Sequence, residues 1–156
     1  MACTLLARES CSPETERKWI GFFPAHTCAY CGKPASHLDH LHPLIDDKAP
    51  TGYCTEPANL VPCCKDCNQP KGNLDWEKFM RSGDCHHVGD ATTDDPAIAM
   101  ERRIETLHRF EKEMPARRIK IDAETIAKWR EIQEGFNKQL RDAEQVLLEL
   151  KAKLYS

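Results

Sequence analysis

The chain has 156 residues, 30% of them charged, and a formal net charge of −3. That length allows one compact domain with an extension. No apolar run approaches the ~18 residues of a membrane-spanning helix, and the mild acidity excludes a protein that holds nucleic acid by bulk positive charge alone.

The acidic excess lies in residues 1–90, whereas residues 91–156 are balanced. Any grip on a polyanion must therefore use local patches or bound metal. The first nine residues lack a long apolar stretch and include Arg8 and Glu9, which is not the pattern of a signal peptide. There are nine cysteines, an odd number, and four of them fall in two C-x-x-C pairs. Without a leader, that spacing points to metal ligation in a reducing, cytoplasmic compartment rather than to a disulfide frame.

In chain order, residues 1–24 read as a helical lead-in. Ser12 followed by Pro13 is a helix start, an N-cap and then proline at the first helical position. Trp19, Ile20, Phe22 and Phe23 supply apolar surface for the next segment, and Pro24 closes the helix.

Residues 25–82 are rich in Cys, His, Pro and Gly and carry no long periodic pattern, as expected of a small fold that leans on metal. Cys28 and Cys31 form one hook, and Gly32 suits the turn behind it. Cys64 and Cys67 form a second. Together they can supply four thiolates to one tetrahedral Zn²⁺, a closed and therefore structural site. Cys63 offers a rival third ligand, but Cys64 and Cys67 have the spacing of the first hook; Cys63 is expected to be a packed side chain. Between the hooks, Ser36–Leu44 concentrates His37, Asp39, His40 and His42. Asp75–Met80 is expected to form a short helix, and residues 83–93 a linker.

Residues 94–156 change character. A helix opens at Asp94-Asp95-Pro96 and ends before Pro115; a longer one starts at Asp122. From Phe136 the apolar residues Leu140, Ala143, Leu147, Leu150 and Leu154 follow at steps of 4, 3, 4, 3 and 4, a coiled-coil seam. The expectation is a helical hairpin or coiled-coil-like extension. Because the first helix is too short to cover the far end of the seam, a homodimer through the C-terminal helices is expected. Arg117, Arg118 and Lys120 form the densest basic cluster, readable either as a solvated turn or as a DNA-backbone clamp.

Three segments in order, C-A-Y-C-G at 28–32, L-D-H-L-H-P at 38–43 and N-L-V-P-C-C-K-D-C-N-Q-P-K-G-N-L-D at 59–75, resemble the HNH endonucleases, the zinc-bound branch of the ββα-metal nucleases. The resemblance spans roughly residues 25–76. It implies an α+β fold: a small zinc-bound nuclease core with a first strand near 35–41, a second near 60–63 and a helix from about Cys64 to Lys71-Gly72. It implies that Asp39 and Asn68 are ligands of a catalytic divalent cation, Mg²⁺ or Mn²⁺, that His40 is the general base, and that Asn59 holds the loop and the His40 ring. Asn68 at the last motif position makes this an H-N-N variant. The substrate implied is double-stranded DNA, with Lys71 and His42 as candidate phosphate contacts. The chain departs from many members in lacking Gly-Gly after Pro43; its loop from Leu44 to Ala58 is long and carries Asp46, Asp47 and Glu56.

Overall fold

The computed structural model describes residues 12–24 and 26–154. The expectation placed on the first nine residues lies outside them, as do Cys3 and Cys11.

Helix α1 (Pro13–Phe22) starts as the sequence predicts: Ser12 caps it by accepting a hydrogen bond from the Thr15 N–H. Trp19 is buried, and its indole N–H donates to the Leu60 carbonyl at 2.8 Å, tying α1 to the core. Strand β1 (His37–His40) pairs antiparallel with a later strand, β4 (Leu60–Cys63), in the register His37–Cys63 to His40–Leu60. The intervening chain forms a small hairpin, β2 (Ile45–Asp46) and β3 (Ala49–Pro50). Its two turn residues, Asp47 and Lys48, both have positive φ, the pattern of a type I′ turn. Helix α2 (Lys65–Lys71) follows β4, ends on Gly72 at φ 45°, and packs across β1. Helix α3 (Trp76–Met80) is capped by Asp75.

Residues 83–93, expected as a linker, make several contacts with the core. Cys85 is buried, the Val88 N–H donates to the Cys31 carbonyl, and Arg103 donates to the carbonyls of Val88 and Gly89. The cause is apolar: helix α4 (Pro96–Glu113) needs cover for Ile104, Leu107 and Phe110, and finds it in the core already formed by Trp19, Phe23, Val61 and Phe79. Phe110 meets Phe22 and Phe23 edge-on, with ring centres 5.4 and 5.1 Å apart. One continuous core thus spans α1, the strands, α3 and α4.

Helix α5 (Ala123–Leu154) differs from the expected hairpin. It packs its first turns on β3, not along α4, and Trp129 donates its indole N–H to the Lys48 carbonyl at 3.2 Å. The strap before it is pinned as well: the Ile119 N–H donates to the Gly52 carbonyl, and Gly52, at φ +90°, has no room for a Cβ against Ile119. Beyond these contacts α5 stands in solvent, and none of its residues is buried.

Candidate functional site

Two hooks converge first. In the first, the Gly32 N–H donates to the Cys28 carbonyl and the Cys28 N–H to Lys33, closing a tight turn that Gly32 completes at φ 86°. In the second, the N–H groups of Cys67 and Asn68 both donate to the Cys64 carbonyl, as the first turn of α2. The thiols of Cys28, Cys31, Cys64 and Cys67 are buried and lie within 4.8 Å of one another, with Cys31 and Cys64 sulfurs 3.6 Å apart. A tetrahedron of sulfurs ~2.3 Å from a zinc ion has edges of about 3.8 Å, so donor type and spacing fit such an ion. Cys63 is not one of the four, but it borders them: its thiol donates to the Cys64 carbonyl at 3.2 Å and also hydrogen-bonds with the Cys28 sulfur.

Packed this closely, the thiols split in proton affinity. Hydrogen bonding from Cys31 drives the Cys28 thiol far down, while the same contact pushes Cys31 up to about 12. Cys85 is a fifth thiol beside the cluster. Hydrogen bonding to Cys67 lowers it to about 6 against the opposing effect of burial.

The metal frame sets β1 and α2 beside each other, and with them the polar residues. Asp39 sits near the end of β1. One of its oxygens, Oδ2, accepts both the Tyr30 hydroxyl at 2.7 Å and the Lys71 ammonium at 3.0 Å. Lys71 was expected at a DNA phosphate. It is instead completely buried, and it also donates to the His40 carbonyl at 2.9 Å. The reason is position: the last turn of α2 points inward at β1, and Asp39 offers the charge a buried ammonium requires. Asn68, one residue after the last cysteine, is held half-buried on the same helix.

His40 ends β1 half-buried, with Nε2 2.9 Å from the Thr55 hydroxyl. Burial lowers its pKa from the usual 6.5; the Asp39 carboxylate works against this and the Lys71 charge with it. Asn59 is fully buried and clamps the loop. Its Oδ1 accepts from the His42 N–H at 2.8 Å, and its Nδ2 donates to the carbonyls of His42 and Cys54 at 3.0 and 3.1 Å. The Leu44–Ala58 loop therefore returns to His40 through Thr55 despite lacking the Gly-Gly pattern.

The remaining candidates are spread around this centre. His42 lies past the strand end, stacked on Tyr53 with ring centres 4.4 Å apart and paired with Glu111 at 3.0 Å. Arg117 is committed to Glu56, its backbone N–H at 2.6 Å and its Nε at 2.8 Å from the two carboxylate oxygens. The guanidinium of Arg118 lies over the Tyr53 ring and donates to the Thr51 carbonyl. Lys120 is exposed on the same strap.

Sequence reasoning missed Tyr30 and Thr55. Tyr30 lies inside the first hook, where its only visible signal was proximity to two metal ligands. Thr55 sits in a loop with no pattern of its own.

A metal-framed α+β core with an aspartate–histidine pair at the end of its first long strand is the class of protein that these features define. Residues 28–74 match the HNH endonuclease family model, and the four-cysteine cluster within them fits the zinc-bound branch of that family. No curated protein and no solved structure matches the chain. No helix among the described residues is long and apolar enough to cross a membrane.

Proposed function

We propose that the protein is a metal-dependent endonuclease that hydrolyses phosphodiester bonds of double-stranded DNA, leaving 5′-phosphate and 3′-hydroxyl ends, in a restriction or mobile-element setting. The observation that carries the reading is His40. Its Nε2 lies 2.9 Å from the Thr55 hydroxyl, burial lowers its pKa, and it follows Asp39 at the end of β1.

With the Nε2 proton donated to Thr55, Nδ1 carries the lone pair and takes a proton from the attacking water. The water oxygen bonds to phosphorus as the bond to the 3′ oxygen breaks, and the leaving 3′ oxygen takes a proton from solvent water to become the hydroxyl. A divalent cation, Mg²⁺ or Mn²⁺, held by Asp39 and Asn68 would supply charge stabilisation for the pentavalent phosphate and the leaving oxygen. Asn59 keeps the loop closed so that Thr55 stays on the ring. Zn²⁺ held by Cys28, Cys31, Cys64 and Cys67 has no open position and serves only to fix β1 against α2. Arg118 and Lys120, exposed on the strap beside the loop, are the proposed backbone contacts. The partner of α5 is a second copy of the chain.

The test is incubation of the protein with supercoiled plasmid and Mg²⁺ or Mn²⁺, with end mapping of the products. Cleavage lost in His40→Ala, with zinc content and melting temperature retained, supports the reading. A zinc-loaded, folded wild-type protein that binds DNA and cuts none would leave the alternative, a non-catalytic interaction module.

A further inference from the structure

We propose that Lys71 makes the proposed cation site charge-neutral before substrate arrives, so that the divalent cation binds tightly only together with the DNA phosphate. The inference rests on the nuclease reading and goes beyond it.

Three observations carry it. Lys71 is fully buried, yet its ammonium is 3.0 Å from Asp39 Oδ2 and 2.9 Å from the His40 carbonyl. Tyr30 occupies the same Oδ2 at 2.7 Å, so both donors saturate one carboxylate oxygen and leave Oδ1 for a cation. Of the two proposed cation ligands, Asp39 and Asn68, only Asp39 is charged. A cation in this site therefore meets one carboxylate whose charge is already balanced by an ammonium, and like charges at this range repel strongly in a partly buried setting. A phosphodiester brings the missing negative charge. Cation and DNA then tighten each other's binding, and by linkage the factor is the same in both directions. Lys71 is a positioning and charge-setting residue, not a catalytic one, since it is fully buried and its ammonium is engaged by Asp39 and the His40 carbonyl.

Two measurements test the proposal. In zinc-loaded Lys71→Met, Mn²⁺ affinity of the DNA-free protein, read by electron paramagnetic resonance, is expected to rise at least tenfold over wild type. Tyr30→Phe, which removes a donor to the same oxygen without changing charge, is expected to stay within about twofold. Unchanged or weaker Mn²⁺ binding in folded Lys71→Met overturns the proposal. Should that variant lose its zinc, the second measurement stands alone. Anisotropy titration of duplex DNA against His40→Ala is expected to show at least tenfold tighter binding with Mn²⁺ than without, and no such gain in the double variant His40→Ala/Asp39→Asn. No coupling in His40→Ala overturns the proposal equally. If the wild type cuts plasmid while both measurements fail, only this inference falls; if it cuts nothing, the nuclease reading falls first.

Discussion

At the scale of single residues, His40 carries the sharpest expectation. A general base removed by His40→Ala should lower the cleavage rate by ~10²–10⁴-fold. Its pH profile follows from its surroundings. Burial lowers the pKa below 6.5, Lys71 adds to that, and Asp39 opposes it. The working form is the neutral imidazole, so activity should be on a plateau at pH 7 and fall only as the pH drops through a value below 6.5. A rate that still climbs between pH 7 and 8 through a single ionisation would contradict that environment. Thr55→Val removes the hydroxyl that orients the ring. It should lower kcat with little change in KM, because it alters the base and not the grip on DNA. The cysteines divide in the same way. Cys64→Ser removes one of four converging thiols and should cost the zinc and the fold of this segment, since metal binding there is folding energy. Cys63→Ser should keep its zinc, as Cys63 lies outside the four converging thiols and a serine hydroxyl can replace its contact with Cys28. Equal zinc loss in the two variants, measured by atomic absorption, would overturn that division.

At the scale of elements, the loop between β1 and β4 is the part whose order depends on one side chain. Asn59 makes three hydrogen bonds while fully buried. Asn59→Ala leaves a backbone N–H and two carbonyls short of partners, a destabilisation of about 2–4 kcal/mol at ~1 kcal/mol or more per bond. Asn59→Asp should be worse, because it aims a carboxylate oxygen at the two carbonyls that Nδ2 now serves. Thermal unfolding of both variants checks the order, and limited proteolysis should cut first between residues 44 and 58. The hooks were legible in the sequence because each is local: Gly32 completes the turn of the first, and the first turn of α2 makes the second. The ends of α1, α2 and α3 were legible for the same reason: Ser12-Pro13, Lys71-Gly72 and Asp75 each act within one turn of the helix. The surroundings of Asp39 were not. Tyr30 and Lys71 reach it from elements 9 and 32 residues away, and a lysine in a K-G turn carries no mark that it points inward. The contacts of residues 83–93 were hidden on similar grounds. The polar run at 83–93 looks solvated until Cys85, Val88 and the guanidinium of Arg103 are seen closing on the core.

At the scale of the whole molecule, α5 is the unresolved surface. The core takes the apolar face of α4, Ile104, Leu107 and Phe110, so that face cannot also cover α5, and the sequence could not reveal that competition because both helices have comparable apolar periodicity. Along α5, Phe136, Leu140, Leu147, Leu150 and Leu154 remain half or more exposed, with Val146 beside them. An apolar stripe of that length rarely stays in water. Its 4-3-4-3-4 spacing is a repeat of 3.5, which keeps facing a second helix as the two supercoil, whereas a helix lying on a globular core would drift from it. The charges flanking the stripe are mixed, Arg141, Glu144, Lys151 and Lys153 among them, so a second copy meets no wall of like charge. A two-fold pairing would also bring two HNH domains to one duplex, one for each strand. Light scattering of the full chain should therefore give about twice the 17.8 kDa chain mass. Removing residues 136–156 leaves the β3 contact around Trp129 in place. The truncated protein should be a folded, zinc-loaded monomer that nicks supercoiled plasmid but makes far fewer double-strand breaks at equal nicking rate. A full-length protein that stays monomeric at micromolar concentration, with and without DNA, would rule the dimer out.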